Sequence, residues 1–150
     1  MDLRRALNDL KTNKAKGERE AKEPSAPLIE VFHSIQGEGR FVGAPMTFLR
    51  TATCPLRCLY CDTPNSYEAP ATSPVKFGVR TQQEPNPVRA TRAAELVRQV
   101  SQAAMPALKQ PRVSVTGGEP LVFPEFVHAF GKAVRDQGMR LHLETAAIDP

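Results

Sequence analysis

At 150 residues and 41% hydrophobic content, the chain has material for one globular domain with a real core. Its apolar stretches are too short to cross a bilayer, and the start Met1-Asp2-Leu3-Arg4-Arg5 runs into alternating charge instead of an apolar signal segment, so a reduced cytoplasmic compartment is expected. The net charge of +4 is spread thinly, with seven basic and five acidic side chains in residues 1–23 and thirteen and eleven beyond, so direct nucleic-acid binding is not expected.

Residues 1–24 read as a charged extension outside the core, closed by the Pro24 and Pro27 boundary, and residues 25–150 as the domain. Leu28 to His33 is a β-prone run that delivers the chain to Ser34-Ile35-Gln36-Gly37-Glu38-Gly39-Arg40, where two glycines bracket a carboxylate and the backbone can approach a ligand. Met46 to Arg50 is a second strand, and the guanidinium at its end is suited to grip a carboxylate through two parallel hydrogen bonds.

All three cysteines, Cys54, Cys58 and Cys61, fall within Thr53 to Thr63. Three thiolates this close can hold one inorganic centre. A [4Fe–4S] cube takes a cysteine on each of its four irons, so three would leave one iron open to a chelating small molecule. Zinc completed by His33, His128 or His142 is the alternative, whereas the odd count and short spacing disfavour a disulfide framework. Asp62 and Thr63 offer the oxygen ligands that a hard cation such as Mg²⁺ prefers.

Residues 64–89 contain five prolines and few apolar side chains, and read as an excursion outside the core, able to fold as a flap. From Thr91, a candidate cap, Ala93, Leu96, Val97, Val100 and Ala104 recur at helical steps, and Pro106 ends or bends that helix. Val113 and Val115 alternate as a buried strand running into Gly117-Gly118-Glu119-Pro120. A second helix has Pro124 in its first turn, Phe126, Phe130, Ala133 and Val134 on one face, and Gly138 as its stop. Leu141 and Leu143 mark a last strand ending at Glu144-Thr145. This rhythm predicts a parallel sheet, with Arg50, the cysteine loop, the Gly117-Gly118 turn and Glu144 gathered at the strands' C-terminal edge.

Taken together, Ile35-Gln36-Gly37-Glu38-Gly39, Arg50, the cysteine loop closed by Asp62-Thr63, and Thr116-Gly117-Gly118-Glu119-Pro120 resemble the 7-carboxy-7-deazaguanine synthase family of radical S-adenosylmethionine (SAM) enzymes over about residues 28–145. The cysteine loop and the glycine-glycine-glutamate turn are general to the superfamily. The Gln-Gly-Glu-Gly segment, Arg50 and Thr63 carry the narrower likeness. The resemblance implies an incomplete parallel β/α barrel, truncated at its C-terminus. It implies a carbon–nitrogen lyase of queuosine-type biosynthesis that converts 6-carboxy-5,6,7,8-tetrahydropterin to 7-carboxy-7-deazaguanine with release of ammonia. The radical derived from SAM carries the chemistry, so no protein side chain is assigned as catalytic.

On the same resemblance Cys54, Cys58 and Cys61 hold the 4Fe-4S cluster, Thr63 ligates Mg²⁺, and Tyr60, Asp62 and Gly118 lie against SAM. Ile35, Gln36, Gly37, Arg50 and Thr116 bind the pterin, Glu119 holds its turn, and Glu38 orients the neighbouring loop. Flavodoxin or a similar donor supplies the electron, and a homodimer is expected. Two departures stand out. Ala146-Ala147 replace a small polar residue and a glycine, weakening ligand contacts there. The family's later strands are missing, so weak or no activity is expected of these 150 residues alone. Another small radical SAM enzyme, such as a glycyl-radical activase, and a non-catalytic zinc-binding module are the alternatives.

Overall fold

The computed structural model describes residues 23–148. Residues 1–22, and with them most of the expected extension, lie outside the described residues. Among the described residues there are eight strands: β1 (Ser25–Ala26), β2 (Leu28–Ile35), β3 (Pro45–Thr51), β4 (Thr72–Phe77), β5 (Arg80–Pro85), β6 (Val88–Arg89), β7 (Arg112–Gly117) and β8 (Arg140–Leu143). The long helices are α1 (Ala90–Ala104) and α2 (Pro124–Asp136). Strands β5-β4-β2-β3-β7-β8 form one sheet, and β1 pairs with β6 apart from it.

The sheet separates two kinds of side chain. One set of alternating positions carries Val31, Leu49, Val113 and Val115, which pack with Ala93, Leu96, Val97 and Val100 of α1 and with Phe126, Phe130 and Val134 of α2 in a single core. Each fully buried Val, Leu or Phe contributes about 1.5–3 kcal/mol. One polar pair sits inside: the Thr47 and Ser101 hydroxyls are 2.6 Å apart, and Ser101 also donates to the Val97 carbonyl at 2.7 Å, so neither is left unpaired. The opposite set includes Phe32, Phe48, Arg50, Ser114, Thr116 and His142, and it forms the site.

Strands β3, β7 and β8 are mutually parallel, with Arg50 level with Thr116 and Val115 level with Leu143. The expected gathering of Arg50, the cysteine loop, the double glycine and Glu144 at one edge is therefore borne out. Strand β2, however, is antiparallel to β3. Its end at Ile35 pairs with Pro45, at the far end of β3 from Arg50. The turn between them folds back over the open face, where the Phe41 ring meets His142 edge-on at 5.3 Å and stacks under the Arg112 guanidinium at 4.8 Å.

Residues 64–89, expected as an excursion outside the core, instead extend the sheet and contribute to the core. Strand β4 runs parallel to β2 through Val31 and Val75, and β5 returns against β4 as the sheet's edge. Val75 and Val88 are buried in the core. Pro74 donates no ladder hydrogen bond, yet β4 accommodates it beside Val75, the residue level with Val31. Asn86 then ties the hairpin down, donating to the Leu28 carbonyl at 2.8 Å and accepting from the Leu28 N–H at 2.9 Å.

Two smaller expectations also change. Helix α1 begins at Ala90, so Thr91 is inside it, and the cap comes from Glu23, which accepts from the Thr91 N–H at 2.6 Å and its hydroxyl at 3.0 Å. A carboxylate there satisfies a free N–H and meets the positive end of the helix dipole. Glu23 therefore belongs with the domain. Helix α1 stops at Ala104, before Pro106, while α2 begins at Pro124 and is closed by Gly138 at φ +76°, as its sequence predicts.

Candidate functional site

At the edge formed by β3 and β7, two backbones approach without side chains between them. Gly117 adopts φ +131°, and a Cβ on it would meet the Thr51 backbone nitrogen and oxygen at 2.4 Å. A Cβ on Gly118 would lie 2.2 Å from the Thr53 carbonyl oxygen. The space is used for hydrogen bonds: Gly118 N–H donates to Thr51 O and Glu119 N–H to Thr53 O, both at 2.9 Å. Thr53 is held at φ +75°, an unfavourable region for a β-branched residue, and its N–H donates to Ser66 O at 2.6 Å. The chain thus enters the cysteine loop from a fixed, strained residue.

Glu119 is 2% exposed yet fully paired. It accepts from Leu121 N–H at 2.8 Å, the Thr145 hydroxyl at 2.6 Å and Ala146 N–H at 2.8 Å, binding its own turn to the loop after β8. The expected turn-holding role rests on these three bonds. In the same loop Ala147 sits at φ +55°, a conformation that suits glycine better than alanine. Ala147→Gly is expected to stabilise the fold by about 0.5–1 kcal/mol, read as a higher denaturant midpoint. An unchanged or lower midpoint would show that the loop relaxes without cost.

The cysteine loop itself is irregular. Cys61 N–H donates to Cys58 O at 3.1 Å, and Arg57 donates to the Cys54 and Leu56 carbonyls at 2.8 and 2.7 Å while covering the Tyr67 ring at 4.0 Å. The Tyr67 phenol is held above its ordinary value, chiefly by its hydrogen bond to Cys61. All three thiols are unpaired. They line one open cleft of about 340 Å³ together with Tyr60, Asp62 and Gly118. Among the described residues no three His, Cys, Asp or Glu side chains converge on a point that could hold a metal ion, so the thiols share a wall without meeting.

The donor set fits an iron–sulfur group. It is three soft sulfur ligands on a loop with little regular hydrogen bonding, facing open space, beside backbone that Gly118 leaves bare. The imidazoles that zinc would need are elsewhere. His33 contacts the Thr47 hydroxyl at 3.3 Å and is held below its usual pKa by burial, His142 meets Phe41, and His128 lies on α2. None lines the cleft.

A second cavity of about 350 Å³ adjoins the first. Ile35, Gln36, Gly37, Arg50, Thr63 and Thr116 all line it. Cys61, Asp62, Thr116, Gly117, Glu38 and Glu144 line both cavities and so form their common wall. Arg50 donates from Nη1 to the Thr63 hydroxyl and from Nε to Glu30 Oε1, each at 3.3 Å, and Thr63 donates to Asp62 at 2.7 Å. Gln36 is 3% exposed, and its amide oxygen accepts from Glu38 N–H at 3.0 Å, which orders that segment.

Glu144, expected at this edge but with no role attached, is the centre of the polar network. Its Oε1 accepts from Ser114 at 2.5 Å and from Gln36 at 2.6 Å. Burial pushes its pKa up, but the hydrogen bonds from Ser114, Gln36 and Thr116 outweigh that and hold it below the ordinary carboxylate value of 4.5. The folded value is therefore the lower one, so Glu144 stabilises the fold above the ordinary range and that contribution is lost as pH falls through the folded value. Stability lost on acidification below pH 4.5 is expected to be smaller in Glu144→Gln than in the parent. Equal losses, followed by denaturant midpoint, would remove Glu144 from the acid response. Phe32 and Phe48, stacked at 5.2 Å, also line the second cavity, and no pattern in the sequence distinguished them from core residues.

Comparison with known proteins gives a consistent result. Residues 48–150 match the family model described as "Radical SAM superfamily". A 7-carboxy-7-deazaguanine synthase of Methanothermobacter thermautotrophicus is 39% identical over 68% of this chain and 34% of its own length. The enzyme of that name from Methanopyrus kandleri is 35% identical over 89% of this chain and 53% of its own. The chain thus spans about a third to a half of these curated relatives. The crystal structure of QueE from Escherichia coli superimposes with a TM-score of 0.56 at 22% identity, covering 81% of this chain and 53% of that one, a likeness of fold.

Proposed function

Because the chain belongs to the radical SAM superfamily, we propose that its protein is a 7-carboxy-7-deazaguanine synthase, a carbon–nitrogen lyase of deazapurine biosynthesis acting on 6-carboxy-5,6,7,8-tetrahydropterin. The observation that carries this reading is the pair of adjoining cavities. The residues expected to meet the cluster and SAM line one, those expected to meet the pterin line the other, and Cys61-Asp62, Thr116-Gly117 and Glu144 stand between them. Relatives bearing that name, at 31–39% identity, support the same reading.

On this reading Cys54, Cys58 and Cys61 hold the 4Fe-4S cluster, and Tyr60, Asp62 and Gly118 receive SAM. Together these groups supply the radical chemistry when bound. The chain's own residues bind and orient. Arg50 takes the pterin carboxylate by charge-assisted hydrogen bonds, and Ile35, Gln36, Gly37 and Thr116 surround the ring system. Thr63, whose hydroxyl already meets Asp62, offers an oxygen to Mg²⁺. Glu144 fixes the Gln36 amide by accepting from its nitrogen. An electron donor such as flavodoxin, a homodimeric state and a cytoplasmic location belong to the same proposal. The three unpaired thiols suit a reduced compartment.

The test is anaerobic reconstitution of the full-length protein followed by assay with SAM, a reductant, Mg²⁺ and the carboxy-tetrahydropterin. Formation of 7-carboxy-7-deazaguanine with ammonia is expected. SAM cleavage without pterin turnover would contradict the proposal and point to an activase. Stoichiometric zinc that survives air would contradict the iron–sulfur assignment itself.

A further inference from the structure

Arg50 is the one cation among the described residues lining the second cavity, and it shares that lining with the carboxylates of Glu38, Asp62 and Glu144. A fourth carboxylate, Glu30, stands directly behind it. Glu30 and Arg50 are cross-strand partners on β2 and β3, and Glu30 Oε1 accepts from Arg50 Nε at 3.3 Å. An anionic ligand arriving in such surroundings would meet a guanidinium already neutralised by its neighbour.

The other oxygen of Glu30 is taken from a different element. Lys76, on β4, donates to Oε2 at 2.6 Å. Its ammonium and the Arg50 guanidinium both lie on the Phe32 ring, at 5.5 and 5.8 Å from the centroid. Lys76 and Glu30 are not part of the cavity lining. The row Arg50–Glu30–Lys76 carries a net charge of +1, where Arg50–Glu30 alone would carry none. Its geometry is also directional. With Nε engaged by Glu30 and Nη1 by Thr63, the free donors of Nη2 and the second hydrogen of Nη1 form the edge left for a bidentate partner.

We propose that Glu30 is the positioning residue that aims Arg50 at the ligand carboxylate, and that Lys76, from the β4–β5 hairpin, restores the positive charge Glu30 would otherwise cancel. The hairpin thereby sets affinity for the carboxylate without touching it. The proposal rests on the pterin reading above for the identity of the ligand, and on the three side chains alone for the positioning.

Two measurements on the reconstituted protein separate these. Binding is measured for 6-carboxypterin and for pterin, which lacks the carboxylate. Lys76→Met is expected to weaken 6-carboxypterin by about two- to fivefold, as a partly exposed pair allows, to leave pterin unchanged, and to be rescued by Lys76→Arg. Glu30→Ala, which removes the acceptor that aims Nε, is expected to weaken 6-carboxypterin, whereas Glu30→Gln, which keeps an acceptor and removes only the negative charge, is expected to hold the parent's affinity or better. In parallel, phenylglyoxal modification of Arg50, followed by peptide mass analysis, is expected to be several-fold faster in Glu30→Ala than in the parent. Unchanged or tighter 6-carboxypterin binding in Lys76→Met or Glu30→Ala, an equal loss for pterin, or unaltered Arg50 modification would each overturn the proposal. A parent protein that binds neither pterin while Arg50 still depends on Glu30 would uphold the positioning and overturn the pterin reading.

Discussion

Gly118→Ala is expected to destabilise the fold by about 3 kcal/mol and to lower iron loading with it. The added methyl would fall 2.2 Å from the Thr53 carbonyl oxygen and 2.7 Å from its carbon. Both are backbone atoms, so no rotamer change relieves the contact. Relief requires separating the Thr53 and Glu119 segments, which breaks the Glu119 N–H to Thr53 O bond and releases Thr53 from φ +75°. Thr53 precedes Cys54, so the loss should appear twice, as a lower denaturant midpoint and as less iron after anaerobic reconstitution. A variant with the parent's midpoint and iron content would show that the close approach is dispensable.

Replacing any one of Cys54, Cys58 and Cys61 with serine is expected to have the largest effect on function. Iron bound on reconstitution should fall from about four per chain toward none, and SAM cleavage to background. Ligand number sets the size of this effect. The three thiols are all the cysteines the chain has, and no histidine lines their cleft to take over a vacant place. The fold should survive, because the loop carries little of the core: Cys61 is exposed, and Leu59 and Tyr60 beside it are 105% and 88% exposed. Unaltered thermal stability of the metal-free protein alongside lost iron is thus the expected pair of results. Iron near four per chain in all three variants would exclude these thiols as the ligands.

What the sequence made legible follows the physics of local and distant contacts. Helix α2 could be read because Pro124, Phe126, Phe130, Val134 and Gly138 lie at the spacing of one helix, and its start and stop are written in the same segment. The cysteine loop could be read because its donors are neighbours in the chain. The β4–β5 hairpin could not: Arg80–Pro85 is almost wholly exposed and polar, and β4 carries a proline. Its place in the sheet depends on Val75 meeting Val31, which no local pattern announces. The Glu23 cap was hidden for the same reason, since its partner lies 68 residues away.

The site divides along that line too. Gln36, Thr63 and Thr116 were found in short motifs and Arg50 at the end of a strand, and the fold brings them to one cavity. Glu144, Glu30 and Lys76 occur in no motif. Their importance comes from partners on other strands: Ser114 and Gln36 for the first, Arg50 for the second, Glu30 for the third. Direction within the sheet was also beyond the sequence. Leu28–Ile35 alternates well enough as a strand, but only its pairing shows that it runs against β3 and that Gln36 reaches the site from a turn folded over the open face.

The most direct test of the account is electron paramagnetic resonance of the anaerobically reconstituted, reduced protein before and after addition of SAM. Three cysteine ligands leave one iron of a four-iron cluster without a protein ligand, so the spectrum is predicted to change when SAM binds there. A reduced cluster whose spectrum is indifferent to saturating SAM would contradict it.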